Sequence, residues 1–95
     1  MVHVLARITA LPTSADATRE ILVDLVARSR SEPGCITYDL FQQDGAAHVF
    51  QTVEAWRDGA AADAHMTSPH VAAAVAKVGG LLGAPPEILR FTKIA

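Results

Sequence analysis

Four stretches of this chain alternate apolar and polar residues, and helical stretches separate them in a fixed order. No other feature narrows the fold so far. In the first run Val2, Val4, Ala6, Ile8 and Ala10 face one way, and His3, Leu5, Arg7 and Thr9 the other, the period of a strand. Leu11-Pro12-Thr13-Ser14 breaks it, and Thr13 or Ser14 can cap the helix that follows. Asp16 and Glu20 near that helix's start, with Arg28 and Arg30 near its end, complement its dipole. Ile21, Leu22, Leu25 and Val26 make one apolar stripe, and Pro33-Gly34 stops it.

Residues 35–43 alternate again, Ile36, Tyr38 and Leu40 against Thr37, Asp39 and Phe41. The Asp44-Gly45 turn leads into a further β-rich run over 48–54, so the two runs form an antiparallel hairpin. Asp58 caps a short alanine-rich helix to about Met66. Ser68-Pro69 starts a third helix with serine at the N-cap and proline at the first turn. Its stripe is Val71, Ala74, Val75 and Val78, and Gly79-Gly80 ends it. A loop over 81–86 precedes a last strand over 87–94. The order β-α-β-β-α-α-β predicts one α+β, ferredoxin-like domain over residues 1–95, with helices on one face of a four-stranded antiparallel sheet.

A sheet covered on one side leaves the other open. That face carries Leu5, Val49 and Val53, or Leu89 and Phe91, depending on register, mixed with Arg7, Gln51 and Lys93. Several apolar groups on an open face make an interaction surface, and a face-to-face homodimer is the simplest closure. The size of the chain points the same way. Ninety-five residues with a single cysteine, Cys35, bury a modest core and have no disulfide to reinforce it. A net charge of −2 lacks the basic face that phosphate contacts need, so nucleic acid is not an expected partner. No apolar run reaches the ~20 residues of a membrane span, and the first residues lack a secretory pattern. A reducing, cytoplasmic setting is expected.

Glu32-Pro33-Gly34-Cys35, Tyr38, the Phe50, Glu54 and Trp56 set, 61–65 ending in His65, and Ser68-Pro69-His70 together resemble the antibiotic biosynthesis monooxygenase family. The resemblance implies a dimeric α+β barrel. It also implies a monooxygenase that oxidises a quinol or polycyclic phenol with dioxygen, using neither metal nor flavin. Relatives include isomerases and catabolic enzymes of small hydroxy-carbonyl molecules, and a non-catalytic ligand-binding dimer is a further possibility. Haem-degrading relatives carry an asparagine, a tryptophan and a histidine at positions that here hold Ala6, His65 and Val75. The chain has no asparagine at all, so that chemistry is not expected.

Oxidation of a phenol by dioxygen without a cofactor needs a dry pocket, a base near neutral pH and donors for the developing oxyanion. Histidine suits the base. His65, on the alanine-rich helix, matches the family's histidine, and Ala61, Ala62 and Ala64 beside it leave room for a ligand; it is the expected acid/base. Packing at the helix end is the alternative. Glu54 matches the family's acidic position and is the second catalytic candidate, against an ion pair with Arg57 or Arg90. Tyr38, His48, Phe50, Trp56 and His70 are the substrate-binding candidates. Trp56 also suits core packing, His70 a local role at a helix start where imidazolium is disfavoured, and His48 a solvent-facing site beside the turn. His3 belongs to the surface or the dimer seam, and Cys35 to the core as a small hydrophobe. His48, His65, His70 and Glu54 lack the i, i+4 spacing of helical metal ligands. His65 and His70 are five apart across a proline break, and no metal is expected.

Overall fold

The computed structural model describes residues 1–95. Strands β1 (Val2–Thr9), β2 (Cys35–Gln43), β3 (Ala46–Trp56) and β4 (Glu87–Phe91) form one sheet in the order β2-β3-β1-β4. Every neighbouring pair is antiparallel. Helices α1 (Ala15–Arg30), α2 (Gly59–Met66) and α3 (Pro69–Val78) supply the α layer. This is the α+β, ferredoxin-like architecture expected from the alternation. No helix is long and apolar enough to cross a membrane.

The register settles which residues share a face. Tyr38, Glu54, Val4 and Arg90 lie in one cross-sheet row, and Leu40, Thr52, Ala6 and Ile88 in the next. The row beginning at Tyr38 faces the helices: Val4, Tyr38 and Trp56 pack with Val26, Ala61 and Ala62 in the main apolar cluster. The opposite face has the rows Asp39, Val53, Leu5, Leu89 and Phe41, Gln51, Arg7, Glu87. The two alternatives left open by the sequence therefore coincide, and Leu5, Val49, Val53, Leu89 and Phe91 all lie on one face.

Element ends follow their partners. β1 stops at Thr9; Ala10 still donates its N–H to the His48 carbonyl at 2.8 Å but turns to an isolated bridge with Leu82. β3 is longer than 48–54: Ala46 closes the hairpin opposite Gln43, and Trp56 pairs with both Val2 and Cys35. β4 ends at Phe91, opposite His3, because β1 begins at Val2 and has almost no strand left to pair with. Gly45 takes φ of 77° in the hairpin turn, where glycine has no steric penalty. Three expectations are corrected. Residues Pro12–Ser14 form a short 3-10 turn; Ser14 then sits at the N-cap of α1 without a side-chain bond, its backbone being non-extended. A bulge between Cys35 and Thr37 takes Ile36 out of the alternation, and it is half-exposed. In α3, Val71, Ala74 and Val78 are buried but Val75 is exposed.

Candidate functional site

His65 lies near the end of α2 at 4% exposure, with Glu54 of β3 at 3%. A carboxylate that deep needs donors. It has two: the Trp56 indole N–H donates to Oε1 at 2.9 Å and the Thr52 hydroxyl to Oε2 at 2.7 Å. The Thr52 hydroxyl in turn accepts from the Ala6 backbone N–H at 3.2 Å. Register makes this possible, since Thr52, Glu54 and Trp56 alternate onto the same side of β3.

The imidazole of His65 lies between two carboxylates. Its Nδ1 is 2.6 Å from Glu32 Oε2 and its Nε2 is 4.0 Å from Glu54 Oε1. The ring is held over Trp56, with centroids 4.6 Å apart and planes tilted by 33°. Tyr38 stands beside it, 5.4 Å between centroids. His70, in the first turn of α3, also reaches Glu32 Oε2, at 2.8 Å through Nε2.

Local folding sets these positions. Glu32 is pinned in the turn after α1, its N–H on the Ser29 carbonyl and its own carbonyl accepting from Cys35. Gly34 then passes so close to Ala61 that a Cβ would collide with that side chain. Its carbonyl accepts from Arg57 N–H at 2.8 Å, which ties the turn to the entrance of α2. The Asp58 carboxylate caps α2 through Ala61 N–H, and that bond holds its carboxyl below the usual value. The Ser68 hydroxyl caps α3 through Val71 N–H and donates to the His65 carbonyl at 2.6 Å. His65 and His70 are thereby fixed on either side of one capped break.

Between helices and sheet lies a cavity of about 100 Å³. Tyr38, Thr52, Glu54 and His65 are the polar residues of its otherwise apolar wall. Ala6, Leu22, Val71, Ala74 and Ile88 are among its apolar walls. Burial, with the Glu54 carboxylate adding to it, pushes the Tyr38 phenol far up, so its O–H stays on as a donor. Burial also pushes the Cys35 thiol up, with the Glu32 carboxylate adding to it, a setting for a packed thiol rather than a nucleophile.

Of the residues singled out in the sequence, the cavity brings together His65, Glu54 and Tyr38, with Trp56 immediately behind them. His48 and Phe50 are not in its wall: His48 is half-buried, and Phe50 borders a groove shared with Val26 and Leu40. His70 is not in the wall either, but its bond to Glu32 gives it more than a local role. Glu54 makes no pair with Arg57 or Arg90, which engage Asp58 and Asp63. The space beside His65 is made by Ala6 and Ala74, whereas Ala61 and Ala62 pack into the core. Sequence reasoning missed Glu32 and Thr52. The signal for Glu32 was its place in the Glu32-Pro33-Gly34-Cys35 motif, and for Thr52 its shared parity with Glu54.

Fold and site define an α+β sheet protein with a buried imidazole set between carboxylates at the wall of a small apolar cavity. The chain belongs to the antibiotic biosynthesis monooxygenase family, whose profile matches residues 1–77. "Putative monooxygenase YcnE" of Bacillus subtilis is 41% identical over 66 residues, 70% of this chain and 70% of that protein. "Putative monooxygenase Rv0793" of Mycobacterium tuberculosis is 38% identical over 88 residues, 92% of this chain and 85% of that one. The solved structure of Rv0793 superposes with a TM-score of 0.92 at 31% identity, covering 99% of this chain and 95% of that chain. The uncharacterized protein sll1783 of Synechocystis is 42% identical over 67 residues, 70% of this chain; the match spans only 45% of sll1783.

Proposed function

We infer that this protein is a monooxygenase needing neither metal nor flavin, which oxidises a quinol or related phenol with dioxygen in the cavity beside His65. The observation that supports this most is the imidazole held by Glu32 through Nδ1, with Nε2 turned toward Glu54 at 4.0 Å. With its proton on Nδ1 facing Glu32, the ring offers the Nε2 lone pair on the cavity side. A hydroxyl oxygen beside the gap can lie ~2.8 Å from both Nε2 and the Glu54 carboxylate, within hydrogen-bond reach of each.

His65 takes the hydroxyl proton as general base, and the two carboxylates flank the ring that receives it. The electron-rich phenolate passes an electron to dioxygen, and recombination forms the new carbon–oxygen bond. Overall a quinol and dioxygen give a hydroxyquinone and water, all four electrons coming from the substrate. Tyr38, kept as a phenol, donates to the oxygen that carries charge. A cavity of about 100 Å³ favours one aromatic ring inside. A second ring would extend past Met66, Val75 and Ile88, lining residues that are themselves exposed by more than two fifths. His48 and Phe50 lie outside this wall, Phe50 being buried in the groove toward β2, and make no substrate contact in this reading.

Two copies joined through the open sheet face complete this account, with the single unpaired Cys35 fitting a reducing cytoplasm. The chain is read as one domain over residues 1–95. An isomerase acting on a small hydroxy-carbonyl would use the same base and carboxylate but consume no oxygen. Oxygen uptake over a panel of quinols, with chelator and without added flavin, separates the two. Uptake with at least one quinol is expected; no uptake across the panel contradicts the proposal.

A further inference from the structure

We propose that Glu32, His65 and His70 form a binding site for one divalent transition-metal ion of the zinc class. Their ligand atoms, Glu32 Oε2, His65 Nδ1 and His70 Nε2, all lie within 4.8 Å of one another. Both nitrogens already converge on the same carboxylate oxygen, at 2.6 and 2.8 Å. Two imidazoles and one carboxylate are the donor set of zinc sites that keep a fourth position open. An ion ~2.1 Å from each donor sets the donors ~3.4 Å apart. Each nitrogen–oxygen separation then opens by less than ~1 Å, and the two nitrogens, within 4.8 Å of one another, close by at most ~1.4 Å, the scale of small side-chain rotations.

The surroundings suit an ion as well. The Glu32 and His70 side chains are 15% and 19% exposed, which gives an entry route and room for water at the fourth position, while His65 is closed off at 5%. The ion-pair partners of Glu32 are His65 and His70 themselves, with no lysine or arginine within ion-pair distance of it, and Arg28, Arg30, Arg57 and Arg90 are each paired with an aspartate. Across the His65 ring, Nε2 faces the Glu54 carboxylate, itself held by Trp56 and Thr52. A carboxylate on the far nitrogen is the outer-shell partner that orients a metal-bound histidine. Helical spacing does not reveal the cluster because Pro69 breaks the helix between the two histidines and Glu32 arrives from another element.

An ion takes the lone pair of Nδ1 and moves the ring proton to Nε2, so the metal and the base role exclude each other. This consequence rests on His65 being the base, whereas binding itself does not. The test is calorimetric titration of the chelator-stripped full chain with Zn²⁺ alone, without substrate. About one ion per chain is expected. Glu32→Gln, nearly isosteric, and His70→Ala are each expected to weaken uptake by at least ~10-fold, and His48→Ala to leave it unchanged. Circular dichroism checks that each variant is folded. The absorption of bound Co²⁺ gives a second signature of the ligand set that the two substitutions must alter. Absence of uptake, or uptake that survives both substitutions, overturns the proposal. If zinc binds as described but does not slow oxygen uptake, the site stands and the assignment of His65 as base fails.

Discussion

His65 has a carboxylate facing each ring nitrogen, an arrangement that three separate elements must deliver. Glu54 and its partners Thr52 and Trp56 were within reach of sequence reasoning because strand alternation puts them on one face. Tyr38 followed from the same rule. A further test of this cluster lies in its acid–base behaviour. Burial, reinforced by Glu54, raises the Tyr38 phenol above its ordinary value of 10.0, so the folded chain holds that proton more tightly than the unfolded one. The resulting stability is whole below that ordinary value and is lost as pH climbs past it toward the folded one. Cys35, raised above 9.0, acts in the same direction. Urea unfolding followed from about pH 8 upward should therefore show a steeper alkaline loss in the wild type than in Tyr38→Phe; parallel curves would contradict the burial argument. Glu32 was not legible in the same way. Nothing in a turn after a helix says which side chain it meets, and its two histidines lie more than thirty residues along the chain.

Among the elements, the capped break between α2 and α3 does most to place the site. Ser68 accepts from Val71 N–H and donates to the His65 carbonyl. Ser68→Ala should cost about 1 kcal/mol and lower the melting temperature, as measured by calorimetry; an unchanged melting temperature would show that the cap contributes nothing. Gly34→Ala pushes a Cβ into Ala61 and should cost about 1–3 kcal/mol as an overpacked contact, read from denaturant midpoints. A midpoint equal to wild type would mean that the turn and α2 separate freely. Periodicity and turn residues made the order of elements legible, and Ser68-Pro69 marked the start of α3. The bulge at Ile36 and the missing cap at Ser14 were not, because both depend on backbone paths that residue types permit without dictating. Strand ends were also hidden, since β4 stops where its partner β1 runs out.

At the scale of the whole molecule, the helix-free face of the sheet is the main unpartnered surface. The register puts Phe41, Val53, Leu89 and Phe91 on it, each exposed by more than a third. The proposed homodimer covers that face, so light scattering on the eluting protein should give twice the chain mass at micromolar concentration, and Leu89→Glu should shift it toward the monomer. A wild-type monomer would contradict the closure. The presence of an apolar open face was legible from alternation, whereas which strands shared it needed the pairing. The central claim is that His65 serves as base for a phenolic substrate reacting with dioxygen, and it is tested most directly by oxygen uptake of wild type and His65→Ala side by side. With the best quinol, metal-free and flavin-free, the substitution should cut the rate about a hundredfold or more, the scale of a general base. Equal rates in the two proteins would contradict it.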